Sequence, residues 1–312
     1  MKDAFFGRLE RLAEADPRVF FITGDLGFGA LEKFVERFPD RFLNAGVAEQ
    51  NMTGLATGIA MEGRIVFTYS IGNFPTLRCL EQVRNDAAYH GADVKIVAIG
   101  GGFSYGSLGM SHHATEDLAI MRALNIPTVA PGCDWEAAEA TEALAKIPGT
   151  CYLRLDKTTA GNTGKPGERF VVGQSRRLCS GDDVTLIATG GILDVALAAA
   201  EELATAHGLV ARVVSMHTVH PIDAAAILAA ARETGGIVTI EEHTIRGGLG
   251  SAVAEVCADE GVAPRAFHRI ALRAGFSSIV GSQSYLRGHY EMDAKAVVAA
   301  AIRVSRGVEV AC

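Results

Sequence analysis

GVAEQNMTGLATGIAMEGRIVFTYS, residues 46–70, joins a helical pattern directly to a strand pattern. RIVFTY (64–69) is a continuous run of β-branched and aromatic residues, the composition of a strand buried on both faces of a parallel sheet. Ahead of it, Asn44 to Gly46 reads as the turn at a strand end, feeding a helix with Glu49 in its first turn. The helix dipole alone favours a carboxylate there. Gly54 and Gly58 stand four apart with Ala56 and Ala60 nearby, so one side of the helix is nearly smooth. Each glycine costs a helix about 1 kcal/mol, which calls for a packing reason: a second backbone approaching that side closely.

The same alternation continues in both directions. VFFIT (19–23), VKIVAI (94–99) and TCYLRL (150–155) read as further buried strands, with helices between them over 75–90 and 135–146. KTTAGNTGKPGERF (157–170) breaks the pattern with glycine, threonine and charge. A second series then runs through DVTLIAT (183–189), LVARVVS (209–215), GGIVTIEE (235–242) and AFHRIAL (266–272). The chain is therefore predicted to be α/β, two domains with mainly parallel sheets: residues 1–160, a linker over 161–180, and residues 181–312.

Composition limits the partners. Of 312 residues 49% are hydrophobic and 21% charged, enough apolar material for two domains. No apolar run approaches the roughly 20 residues that span a bilayer. The start, MKDAFFGRLERLAEADPR, puts Phe5, Leu9 and Leu12 at helical spacing and lacks the pattern of a signal peptide. The expected location is cytoplasmic. Six scattered cysteines without a C-x-x-C pair read as reduced thiols, with neither a disulfide nor a zinc framework. A net charge of −7 without a basic run argues against nucleic acid or an anionic membrane as partner, leaving a small-molecule ligand.

Three stretches carry candidate chemistry, and all three resemble one family. GVAEQNM is similar to the G-x-x-E-x-x-M stretch of transketolases, whose glutamate bonds the N1′ nitrogen of the aminopyrimidine of thiamine diphosphate. The resemblance makes Glu49 a catalytic and cofactor-binding residue: protonation at N1′ favours the imino tautomer, whose nitrogen takes the thiazolium C2 proton. Such a carboxyl shares a proton, which a desolvated position favours. FTYSIGNFPTLRCLEQVRNDAAYHGADVKIVAIGGG (67–102) resembles the segment that stacks an aromatic side chain on the aminopyrimidine. Aligned through EQVRNDAA, that side chain is Phe74, with Ile71 and Leu77 as aliphatic walls where transketolases often have aromatics. GDLGFGA (24–30) resembles the family's G-A-D-L-x-x-S and implies that Asp25 lies close to the cofactor.

GGFSYGSLGMSHHATEDLAIMRALNIPTVAPG (101–132) resembles the family's substrate loop, G-x-D-G-x-T-H-Q, and the helix after it. His112 takes the place of the histidine that faces the donor carbonyl, and a group titrating near neutrality suits that task. On the residues alone it could instead cap the following helix, and His113 reads as a solvated histidine at the rim of the substrate site. Leu108 stands where the family has an aspartate that recognises a sugar hydroxyl, Gly100 where it has a phosphate-binding histidine, and Gly29 where it has a phosphate-binding serine. Lys157 and Lys2 stand near basic phosphate positions. A charge-assisted hydrogen bond contributes about 1.5–3 kcal/mol, so these departures imply a substrate other than the common pentose and triose phosphates. The glycines are expected to open space in the site.

Two further signals read as structural. GGLGSAV (247–253) lacks G-x-G-x-x-G and resembles the C-terminal domain of transketolases, where no cofactor sits. His217 and His220 in MHTVHP have weak metal spacing, and no protein metal ligand is assigned. Missing throughout is the G-D-G…N motif by which the family holds magnesium and the cofactor's diphosphate. The resemblance thus implies a pyrimidine-binding domain plus a transketolase C-terminal domain. It further implies an N-terminal diphosphate-binding partner subunit holding most of the Mg2+ and diphosphate end, in an α2β2 assembly. The activity implied is transfer of a two-carbon ketol unit from a ketose sugar to an aldehyde. The alternatives are a decarboxylating relative of deoxyxylulose-phosphate synthase and a non-catalytic regulatory subunit.

Overall fold

The runs of branched and aromatic residues do form the strands. A computed structural model describes residues 1–306 apart from Phe28. The strands are β1 (Val19–Thr23), β2 (Phe42–Asn44), β3 (Ile65–Ile71), β4 (Val94–Ile99), β5 (Thr128–Val129), β6 (Cys151–Leu155), β7 (Arg176–Cys179), β8 (Val184–Thr189), β9 (Ala211–Ser215), β10 (Thr218–His220), β11 (Ile237–Thr244) and β12 (Phe267–Leu272). They build two sheets, ordered β10-β5-β6-β4-β3-β1-β2 and β12-β11-β8-β9-β7. Among the described strands every pairing is parallel except two at the edges, β10 on β5 and β7 on β9.

Helices cover both faces of each sheet, which is why the central strands are apolar on both sides. On β3, Ile65, Phe67 and Tyr69 point into a core shared with Phe5, Phe21 and Leu153. Val66 points the other way, towards Met52, Val83 and Ile96. The second sheet has the same two-sided packing around Leu186 and Val238 on one face and Ile187 and Ile237 on the other. Among the described residues no helix is long and apolar enough to cross a membrane.

Three boundaries differ from the sequence reading. The helix expected over 75–90 is α-helical only at Leu80–Gln82 and continues as a π-helical turn over Val83–Ala88. Residues 72–79 ahead of it are turns. Residues 176–179, placed in the linker, form β7. Arg176 anchors that strand to the first half of the chain, donating to Glu136 at 2.6 Å and to Glu168 at 2.8 Å. β10, from beyond the linker, closes an edge of the first sheet, so the two halves share more than a tether.

Candidate active site

The first sheet aims its strand ends at a common cleft, as parallel α/β sheets do. Glu49 opens the helix Glu49–Met61 and is only 1% exposed. Its Oε1 accepts from Ser70 Oγ at 2.9 Å, and its Oε2 from Arg78 Nη1 at 2.6 Å. Ser70 reaches the carboxylate because it stands one residue before the end of β3. Gly24, just past the end of β1, leaves room for this pair: a Cβ there would lie 3.2 Å from Ser70 Oγ and 3.4 Å from Glu49 Oε1.

Contacts then run outward from Glu49 in an unbroken series. The Arg78 guanidinium lies 4.1 Å over the ring of Phe74. Phe74 meets the His112 ring edge-on at 5.2 Å, and His112 lies 6.4 Å from the Tyr105 ring. The Lys157 ammonium sits 3.7 Å over Tyr105, where partial desolvation holds its pKa below the ordinary lysine value. Beside Tyr105 and Lys157 opens a cavity of about 420 Å³, whose walls include Lys2, Asp3, Gly27 and Tyr69. A carboxyl, an aromatic face and a half-buried imidazole are thus linked by contacts to Tyr105, which with Lys2 and Lys157 lines the cavity. That set can hold a planar heteroaromatic ring at one end and an anion at the other.

The other residues singled out from the sequence distribute unevenly. Ile71 ends β3 and packs at the border of the core, as a wall should. Leu77 and Leu108 are exposed and enclose nothing within this chain. Asp25 is exposed, adopts a left-handed φ of 58°, and is held by Asn44 Nδ2 at 2.9 Å. His113 is not at the rim. It is 4% exposed, packs edge-on against Phe103 at 5.0 Å, and meets the Gly106 carbonyl at 3.3 Å through Nε2. Burial pushes its pKa down, so it props the loop from behind as a neutral ring. Gly100 does not open space either: a Cβ there would lie 2.1 Å from Tyr105 Cε2, so the tyrosine ring fills the room. At Gly29 a Cβ would meet nothing within 4 Å among the described residues beyond its chain neighbours.

Ser70, Arg78 and the filling role of Tyr105 were missed from the sequence. Arg78 carried a signal, since it lies four residues after Phe74 at the start of a helical stretch. Cys79 beside it is no nucleophile, because burial pushes its thiol up to about 11. His217 is buried and stacked on Phe170 at 4.1 Å. Among the described residues no three His, Cys, Asp or Glu side chains gather as a metal site.

Comparison with known proteins covers nearly all of the chain. Residues 1–162 match the model of the transketolase pyrimidine-binding domain, and residues 173–296 that of the transketolase C-terminal domain. A 6-deoxy-6-sulfo-D-fructose transketolase subunit of Clostridium sp. strain MSTE9 is 36% identical over 98% of this chain and 94% of its own length. An apulose-4-phosphate transketolase subunit of Actinobacillus succinogenes is 33% identical over 87% of both chains. A solved split-gene transketolase, described as an inactive β4 tetramer, superposes with a TM-score of 0.88 at 35% identity over 97% of each chain.

Proposed function

The chain belongs to the transketolase family, and from that premise we propose that it supplies the pyrimidine end of a thiamine diphosphate site, completed by a separate diphosphate-binding subunit, and transfers a two-carbon ketol unit from a ketose to an aldehyde. The observation that carries this reading is the buried Glu49 carboxyl lying in one contact series with Phe74 and His112. The residues fit the aminopyrimidine: a desolvated carboxylate at one edge, an aromatic face, and the aliphatic side of Ile71. Arg78 covers a face of Phe74 and is long enough to turn aside. Magnesium and diphosphate are assigned to the partner.

Thiamine diphosphate, when bound, supplies a thiazolium carbon nucleophilic enough to attack a ketose carbonyl. Glu49 then holds a proton at the pyrimidine edge, oriented by Ser70. His112, reachable from the cleft and hydrogen-bonded through Nδ1 to Ser111 Oγ at 3.0 Å, is placed to hold or deliver a proton at a substrate oxygen. One C–C bond breaks and one forms, with no net change in oxidation level. Lys2 and Lys157 suit an anionic end of the sugar. The relatives named for a sulfonated and a phosphorylated sugar support such a site without deciding between the two anions.

Assembly with a second kind of subunit is supported by the solved relative, whose tetramer of β chains alone is described as inactive. We place the protein in the cytoplasm, where the thiols of Cys79, Cys133, Cys151, Cys179 and Cys257, all free, stay reduced. The test is Glu49→Gln in the reconstituted pair. It keeps the shape but cannot supply a proton, so hydrogen–deuterium exchange at the cofactor's C2 should slow by about 10²-fold or more, with the melting temperature unchanged. Unchanged exchange would refute the assignment.

A further inference from the structure

Residues 102–114 form a closed loop. Gly102 and Ala114 pair across its base, Gly102 N donating to Ala114 O at 2.7 Å and Ala114 N to Gly102 O at 3.0 Å. His112 stands beside that base, so the base sets where its imidazole points. Side chains and backbone from the second sheet grip the base on both sides. Glu242, on β11 and buried, accepts a hydrogen bond from Phe103 N through Oε1. On the other side Thr244 N donates to Thr115 O at 2.7 Å. Gly102 must be glycine here, since its φ is +58° and a Cβ would lie 2.6 Å from Glu242 Cγ.

The carboxylate is itself fixed from three directions. Gln283 Nε2 donates to its two oxygens at 2.9 and 3.1 Å, and Arg287 Nε donates to Oε2. Arg287 is tied in turn to Asp194 at 3.2 Å and Thr158 at 2.9 Å, while Arg154 holds the Glu242 carbonyl at 3.0 Å. The same C-terminal stretch packs the loop's interior: Tyr290 stacks on Phe103 at 5.6 Å, and Gly281 N donates to Gly106 O at 3.3 Å. A buried carboxylate that accepts from the Phe103 amide, the Gln283 amide and the Arg287 guanidinium holds its neighbours to a single arrangement, because a slip leaves its charge unpaired out of water.

We propose that Glu242 is a positioning residue for the reaction, through which the C-terminal half of the chain sets the substrate loop and the His112 imidazole. The inference rests on the reading of His112 as the substrate-facing group. It gives the cofactor-free half a task in catalysis: holding the loop at an angle the first half cannot set alone. Glu49 is held by Ser70 and Arg78, hydrogen bonds independent of those that fix Glu242.

That independence supplies the test. In the reconstituted pair, Glu242→Gln keeps volume but turns an amide towards the donors of Gln283 and Arg287. The probes are hydroxypyruvate as donor, which releases carbon dioxide as it gives up a two-carbon ketol unit, and glycolaldehyde as the aldehyde acceptor. A displacement of about 1 Å lowers turnover by about 10²-fold. The expected result is therefore a fall in kcat/KM of that size, with C2 exchange of the bound cofactor at the wild-type rate. Gly102→Ala presses on the same contact from the loop side and should give the same split, which covers the case that Glu242→Gln does not fold. Wild-type kcat and KM in a folded variant would overturn the proposal, and so would a parallel loss of exchange and turnover. Absence of C2 exchange in the wild-type pair would instead sink the functional reading itself.

Discussion

His217, whose spacing from His220 gave only a weak metal signal, is a core histidine that couples stability to pH. Its ring lies against Phe170, Nδ1 meets Thr218 Oγ1 at 2.9 Å, and Nε2 is buried without a partner among the described residues. Burial pushes its pKa below the ordinary 6.5, with Arg176 adding to the shift against the pull of Glu136. The unfolded chain therefore takes up a proton before the folded one does. Stability is complete above pH 6.5 and falls as the pH drops from 6.5 through the folded pKa. His113 behaves alike. His217→Gln should flatten the decline of melting temperature between pH 7 and pH 5, as read by calorimetry; an unaltered slope would assign the acid sensitivity elsewhere. Glu49, Phe74 and His112 were all visible as candidates because each sits inside a short contiguous string. Ser70, Arg78 and Glu242 were not, since each acquires its role only by meeting a residue far off in sequence.

The helix Glu49–Met61 illustrates the same limit for an element. Its start and length follow from the turn at Gly46 and the apolar spacing of Met52, Ala56 and Ala60, which the core buries. Its smooth side was expected to receive another backbone, yet among the described residues outside the helix's own nearby backbone nothing lies within 4 Å of a would-be Cβ at Gly54 or Gly58. Val47 is 69% exposed and Met61 64% exposed at the two ends of this helix. The second backbone expected on this side would come from another subunit. Gly58→Ala should then raise the melting temperature of the dissociated subunit, since alanine gains about 1 kcal/mol over glycine in a free helix. Gly58→Leu should lower the assembled mass in sedimentation while leaving the subunit folded. Assembly indifferent to the leucine would move the interface elsewhere.

Substrate choice belongs to the whole molecule, because the cleft draws on Lys2 at one end of the chain, Tyr105 from the loop, and Lys157 from the stretch after β6. Tyr105 fills the volume above Gly100 and carries Lys157 on its ring, so the proposed anion subsite differs in shape from one built on histidine and serine. Across a panel of ketose donors and aldehyde acceptors, some pair should exceed xylulose 5-phosphate with ribose 5-phosphate in kcat/KM. If that common pair reaches about 10⁴ M⁻¹s⁻¹ and nothing exceeds it, the cleft is that of an ordinary transketolase. At this scale the two α/β halves, their parallel strands and the contiguous motifs were legible in the order of residues. Those features depend on apolar periodicity and on residues within a few positions of one another. The burial of His113, the tyrosine ring in the space over Gly100, and the joining of the halves by β7 and β10 emerged only in the folded molecule. Each of these follows from which distant surfaces meet once both sheets bury their faces, and no local pattern carries that information.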